Sequence, residues 1–355
     1  MKRILLTGGG TAGHVTPNIA LLSGLRERNY EIHYAGTCTG IEYELIKREK
    51  ILFHCLSAGK LRRYFDLKNL TDLFKILAGF IQSLFLIIRI RPNIIFSKGG
   101  FVSCPVVWAA WILRRPVIIH ESDITPGLAN RLSMPFARRI CYSFPETAPH
   151  ISGKKGVQTG LPIRQTLFEG NASEGRRICN FNNDKPNLLV IGGSLGSQKI
   201  NTVIHESLSS LAEKFNVCHI CGKGNLSNNY EGYKQFEYVD TELSHLFAMT
   251  DIVVSRSGAT TLFELLALRI PALLIPLAAN ASRGDQILNA RSFERQGFSR
   301  VLLQENLTSE TLVSSLNTVL DNRKEMIEAM ERSPISNGVL AVLKEIDANV
   351  KKGHR

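Results

Sequence analysis

The chain has 355 residues, 44% of them hydrophobic and 21% charged, with a formal net charge of +12. That is ordinary globular composition at a length that suits two domains. The positive charge is spread along the chain without a basic run, and no RNP, zinc-finger or basic-helix signature occurs; no nucleic acid is expected, and an anionic substrate or an anionic membrane surface fits the charge better.

Residues 3–7 read as an apolar strand, too short before the glycines that follow to be an export signal. The turn Gly8-Gly9-Gly10-Thr11-Ala12-Gly13-His14 comes next, and a helix is expected over 18–28. Gly8, Gly10 and Gly13 match GxGxxG, but a dinucleotide site also needs an acid ending the second strand. That strand, 31–35, ends in Gly36-Thr37, so NAD is not expected. What remains is a phosphate-friendly turn carrying His14, readable either as a packing and capping residue or as a general base titrating near neutrality.

Residues 76–88 are apolar nearly all round, bounded by Lys75 and Arg89. The run is too short to span a bilayer, so a buried helix is expected. The alternative is a monotopic contact beside Lys60, Arg62, Arg63, Lys68 and Lys75. Strands follow at 93–97 and 116–120. Gly99 and Gly100 after the first of them suggest either close approach of a ligand or a tight strand–helix turn. His120-Glu121-Ser122-Asp123 ends the second. One acidic pair without a third ligand, in a chain without a DxD, gives no protein-held metal.

The polar stretch 169–185 reads as a loosely packed lead-in to a second half, where the alternation restarts. A strand over 187–191 runs into Gly192-Gly193-Ser194-Leu195-Gly196, which matches the GxSxG nucleophile elbow. A serine hydrolase would need a later acid and histidine, and His205, His219, His245 and His354 follow no convincing strand end. A helix is expected over 201–214 and strands over 216–220, 236–239, 251–254 and 272–275. Cys218 and Cys221 form a CxxC without a second pair and read as core; seven cysteines without a secretory segment suggest a reducing cytoplasm. Strands alternating with helices in both halves imply parallel sheets with ligands at the strands' carboxyl ends.

The most telling stretch is 253–286. A strand ends in Ser255-Arg256-Ser257-Gly258, and a helix opens at Ala259-Thr260-Thr261 with Glu264 about one turn in. Backbone N–H groups and the helix N-terminus make an anion cradle, and Glu264 can accept both hydroxyls of a ribose. Together they suggest a nucleotide.

GGGTAGHVTP, SKGGFVS, HESDITPGLAN, GLPIR, GGSLGS, SRSGATTLFE and SRGDQ, in that order, resemble the MurG family, the undecaprenyldiphospho-muramoylpentapeptide β-N-acetylglucosaminyltransferases. The likeness runs to about residue 300. It implies an α/β GT-B fold: two Rossmann-like domains with parallel sheets facing a central cleft. Residues 1–160 would take the acceptor and face the membrane, 161–337 would bind UDP-GlcNAc, and a last helix within 338–355 would pack back on the first domain. The implied reaction is inverting transfer of N-acetylglucosamine from UDP-GlcNAc to the 4-hydroxyl of the MurNAc-pentapeptide of lipid I, giving lipid II for cell-wall growth, shape and division. It needs no cofactor, and it places the protein peripherally on the cytoplasmic side of the cell membrane.

Carried over residue by residue, the resemblance puts Thr11, Ala12 and Gly13 against the donor sugar and makes His14 the base; from the residues themselves, Glu121 or Asp123 could substitute for it. Asp123 falls where an asparagine contacts GlcNAc, and Arg164 and Ser194 match donor-binding residues. Val239 would give uracil a backbone contact. Ala259, Thr260, Thr261, Leu262, Phe263 and Glu264 match the helix start with its ribose hook, and Gln286 a glutamine on the sugar donor. Ala12, Asp123 and Asp285 depart from the commoner glycine, asparagine and glutamine. An ionised aspartate only accepts hydrogen bonds, where asparagine also donates. The competing readings are another GT-B transferase, a UDP-GlcNAc epimerase, or a serine hydrolase using Ser194.

Overall fold

The computed structural model describes residues 1–59, 68–182, 184–192, 197–278, 284–335 and 337–350, with side chains in the Lys68–Ile90 helix described from Asp72 onward. The chain divides into two compact units. One comprises Met1–Arg164 and the segment that begins at Asn337; the other is Gln165–Ser336.

Seven strands build the first unit's sheet: β1 (Lys2–Thr7), β2 (Tyr30–Gly36), β3 (Leu52–Cys55), β4 (Ile94–Ser97), β5 (Val117–Glu121), β6 (Arg139–Tyr142) and β7 (Gly156–Gln158). They lie in the order β3-β2-β1-β4-β5-β6-β7, all parallel. The central strands β1, β4 and β5 carry apolar runs because both faces are covered, while the edge strands β3 and β7 are only partly buried. Ile4 and Leu6 of β1 point to one side, with Tyr34, Phe96 and Leu25. Leu5 points to the other, with Ile95, Ile119, Val106 and Ile87. The Val339–Asn349 helix closes the first side through Val342, Leu343 and Ile346. Leu343 lies so close to Gly24 that a Cβ there would collide with it.

The second unit repeats the plan with β8 (Asn187–Ile191), β9 (Asn216–Ile220), β10 (Tyr233–Phe236), β11 (Ile252–Ser255), β12 (Ala272–Leu274) and β13 (Ser299–Val301), ordered β10-β9-β8-β11-β12-β13 and parallel. In both sheets the strand order reverses once, between β1 and β4 and between β8 and β11. That switch point is where open α/β sheets bind ligands.

Several sequence expectations need correction. The helix expected over 18–28 is two, Thr16–Ala20 and Leu22–Glu27, because the Leu21 N–H bonds both Asn18 O and Ile19 O and tightens the turn. The helix expected over 201–214 begins at Gln198 and breaks at Ser207, whose hydroxyl bonds back to Val203 O. The strand placed at 236–239 is Tyr233–Phe236, so Val239 lies in the loop beyond it. The lead-in at 169–185 is not loose: it holds the Ala172–Cys179 helix, N-capped by the Asn171 side chain and ended by left-handed Asn180. Cys38 and Cys55 stand side by side with their Cα atoms 5.3 Å apart, while Cys218 and Cys221 are buried and free as core residues.

The apolar segment differs most. It belongs to a 23-residue helix, Lys68–Ile90, and is not buried all round. Phe80, Leu84, Ile87 and Ile90 face the core. Leu73, Phe74, Leu77, Ile81, Phe85 and Ile88 form the opposite stripe and are all exposed, Phe85 by 70%. The sequence looks uniformly apolar because both faces are, although only one has a protein partner. Its Asp72–Ile90 stretch is long and apolar enough to cross a membrane.

Candidate functional site

At the first switch point two glycine turns meet backbone to backbone. The Gly9 N–H donates to Gly99 O at 3.3 Å. Gly100 has φ +86°, and a Cβ there would collide with the Gly9 carbonyl, so the contact requires glycine. The Tyr34 hydroxyl donates to Gly8 O at 2.6 Å, and Asn18 Nδ2 donates to Thr7 O and His14 O. His14 ends a single 3₁₀ turn, Ala12–His14. Its Nδ1 stands 3.0 Å from Gly9 O and 3.1 Å from Thr11 Oγ1. A carbonyl can only accept, so Nδ1 carries the proton and the basic lone pair lies on Nε2.

The first turn is not an open phosphate cradle. Glu42 is 1% exposed, and its carboxylate accepts from the Gly10 N–H at 3.1 Å and from the Thr37 N–H and hydroxyl. The acid missing from the end of β2 is thus present one helix later, directed at the turn itself. Nothing in the sequence spacing marks it.

Glu121 ends β5, buried. Oε1 accepts from the N–H groups of Ser122 and Asp123, and Oε2 accepts from the Gly127 N–H and Asn130 Nδ2. Burial, reinforced by neighbouring Asp123, pushes its carboxyl up. Four donors leave it the role of holding the loop rather than of a base attacking substrate. Lys98, 1% exposed, donates to Ser122 Oγ. Burial pulls its ammonium down to about 8 against the opposing pull of Glu121 and Asp123. His120 is buried and pushed well below its ordinary value by desolvation, then by Lys98. The Asn130 side chain lies against Gly99 and so joins the Glu121 loop to the glycine turns.

At the second switch point the Ala259–Leu268 helix starts straight after β11 and Gly258. The N–H groups of Ala259, Thr260 and Thr261 lie in the first turn, which has no intrahelical acceptors for them; that of Leu262 is the first one taken, by Gly258 O at 3.1 Å. Two residues before Gly258, Arg256 is 8% exposed. Its guanidinium donates to Ile275 O, Pro276 O, Ser197 Oγ and Gln304 Oε1. All four acceptors are neutral, and burial lowers the group to about 10. Among the described residues its acceptors carry no charge to neutralise it, and it lies three residues ahead of a helix N-terminus in the chain, so the cation and the helix dipole both favour an anion. Glu264 is 9% exposed on the same helix.

Gln286 Oε1 accepts from the Leu277 N–H, and its carbonyl accepts from Ser257 Oγ, so it ties the loop after β12 to the β11 turn. The Leu262 and Phe263 side chains are buried, Phe263 edge-on to Phe293. Val239 is 9% exposed beyond β10. Arg164 is the last residue of the first unit. Ser194 lies outside the described residues, as do Lys60, Arg62 and Arg63. Of the histidines a hydrolase would draw on, His354 lies outside the described residues and the others are committed elsewhere. His205 and His219 share the Tyr233 hydroxyl, and His245 Nδ1 accepts from the Asn171 N–H.

The first unit thus brings together Thr11, Ala12, Gly13 and His14 on one turn and Glu121 and Asp123 on another. The second gathers Ala259, Thr260, Thr261, Glu264 and Gln286. Sequence reasoning missed Glu42, Lys98, Asn130 and Arg256 as site components; only Arg256, between an apolar strand and a small-residue turn, carried a readable signal.

Residues 4–142 match the glycosyltransferase family 28 N-terminal domain, and 187–346 match its C-terminal domain. The UDP-N-acetylglucosamine–N-acetylmuramyl-(pentapeptide) pyrophosphoryl-undecaprenol N-acetylglucosamine transferase of Clostridium tetani is 54% identical over 341 residues, 95% of each chain. The Clostridium botulinum (Loch Maree) protein of that name is 54% identical over 355 residues, 99% of each chain. Among solved structures, Acinetobacter baumannii MurG superposes with a TM-score of 0.76 at 24% identity, covering 98% of this chain and 100% of that one. A putative UDP-N-acetylglucosamine 2-epimerase from Listeria monocytogenes gives 0.67 at 12% identity, covering 98% and 96%. The shared fold alone therefore does not choose between transferase and epimerase.

Proposed function

The chain belongs to glycosyltransferase family 28, and on that premise we propose that it transfers N-acetylglucosamine from UDP-GlcNAc to the 4-hydroxyl of the MurNAc-pentapeptide of lipid I, giving lipid II. The observation that carries the reading is Arg256, a buried guanidinium whose acceptors among the described residues are all neutral, three residues ahead of the Ala259–Leu268 helix in the chain. That arrangement favours a diphosphate. Glu264, one turn along, takes the ribose hydroxyls, and Val239 offers its backbone to the base.

The chemistry is an inverting displacement. His14 Nε2 accepts the proton of the acceptor hydroxyl as its oxygen bonds the anomeric carbon of GlcNAc. The bond to the UDP oxygen breaks on the opposite face, and its electrons leave with UDP. The first-turn N–H groups, Arg256 and Arg164 stabilise the charge that develops there. Glu121 positions the Ser122–Asp123 turn. Labelled UDP-GlcNAc incubated with a short-chain lipid I analogue tests the reading: a labelled disaccharide lipid is expected, and release of free GlcNAc or its epimer instead would overturn it.

The acceptor is a lipid. The exposed stripe of the Lys68–Ile90 helix, flanked by Lys75 and Arg89, is the surface we assign to the cytoplasmic face of the cell membrane; the helix after β4, Ser103–Ile112, adds exposed Trp111 and Ile112. Its inner face is committed to the core, so it rests on the bilayer rather than crossing it. The double variant Phe74→Ser/Phe85→Ser should lose about tenfold in binding to anionic vesicles while folding normally. Equal flotation of variant and parent would remove this surface from the account.

A further inference from the structure

Two carboxylates and one ammonium share the carboxyl ends of β4 and β5. The Lys98 stem passes close to Gly8, and its ammonium ends on Ser122 Oγ, between Glu121 and Asp123 in sequence. Glu121 does not need this cation for hydrogen bonding, since four neutral donors already fill its oxygens. A lysine at 1% exposure is costly to bury as a charge unless a counter-charge accompanies it. Both Glu121 and Asp123 act on Lys98 in that sense. Asp123 in turn acts on Glu121 as a like charge. With the lysine absent, two acids two residues apart in a partly buried turn would repel.

We propose that Lys98 is a positioning residue that holds the Glu121–Asp123 turn through Ser122 and supplies the counter-charge that lets position 123 be an aspartate. Asp123 then meets a sugar hydroxyl as an acceptor-only carboxylate where an amide would both donate and accept. The inference rests on the transferase reading for what Asp123 touches, but the charge coupling itself does not.

The test is a double-mutant cycle of Lys98→Met and Asp123→Asn in the full chain, read by unfolding midpoint and by kcat and KM for UDP-GlcNAc. Methionine keeps the stem's packing and removes only the charge. Lys98→Met should lower kcat by about tenfold and depress the midpoint, and adding Asp123→Asn should bring kcat back to within about threefold of the parent and raise the midpoint. A double variant as slow as, or slower than, Lys98→Met overturns the proposal, because a purely structural lysine is not rescued by an amide at 123. If Lys98→Met does not fold, a folded and active double variant supports the coupling and an unfolded one overturns it. If the parent transfers no sugar, the functional reading fails, and the midpoint cycle alone decides whether Lys98 and Asp123 are coupled.

Discussion

The turn after β1 and the turn after β11 look alike in sequence, each a strand running through small residues into a helix, yet a buried carboxylate takes an N–H of the first and a buried guanidinium lies within the second. In the first unit a buried carboxylate, Glu42, takes the Gly10 N–H, and further carboxylates stand at Glu121 and Asp123. In the second a buried guanidinium, Arg256, sits among neutral acceptors, and the helix begins three residues beyond it. The same backbone motif is thus sealed in one unit and left attractive to an anion in the other. A glycine turn predicts a cradle; which side chain lies behind it decides whether the cradle is already filled.

The largest effect should come from the group that does chemistry on the sealed turn. His14→Ala is expected to lower kcat by ~10²–10⁴ with UDP affinity unchanged, measured by steady-state transfer and calorimetry. Undiminished turnover would take the base role from His14. Next, Arg256→Ala should weaken UDP binding roughly ten- to hundredfold, with Arg256→Lys falling between it and the parent because lysine keeps the charge but not the fork. Equal affinity in all three would break the contrast between the turns. Third, Glu42→Gln puts an amide N–H₂ against existing donors and should destabilise the fold by about 1–3 kcal/mol in urea titration, leaving UDP affinity intact. A loss of UDP binding would mean the first turn contributes to the nucleotide site.

The smallest effect concerns the second unit's frame. His219 Nδ1 meets the Tyr233 hydroxyl and its Nε2 meets Asn201 Oδ1, and burial, then His205, lowers it to about 3. The unfolded chain takes up that proton near 6.5 and the folded one does not. The stability that rests on neutral His219 is therefore full above about 6.5 and declines as pH falls toward 3. His219→Gln should flatten the slope of unfolding free energy against pH in that window by up to about one proton, ~1.4 kcal/mol per pH unit. An unchanged slope would show that the histidine protonates in the folded state.

The architecture was legible because parallel strands buried on both faces write themselves as apolar runs such as 187–191 and 251–254, and because glycine turns mark their carboxyl ends. The opening of the Ala259–Leu268 helix was legible for the same reason, and His14 and Glu264 could be proposed from the sequence because they sit within a few residues of a turn. What stayed hidden acts across the fold. Glu42 reaches Gly10 from 32 residues away, and Lys98 reaches Ser122 from 24. The Lys68–Ile90 helix misled because hydrophobicity reports apolar neighbours without saying whether they are protein or lipid.

Calorimetric titration of UDP into the parent chain, His14→Ala and Glu264→Ala tests the central assignment most directly. Saturable binding with equal affinity in the parent and His14→Ala, and a marked loss in Glu264→Ala, is the predicted result. No heat from well-folded parent protein, or a loss in His14→Ala with Glu264→Ala unaffected, would place the nucleotide elsewhere and contradict the account.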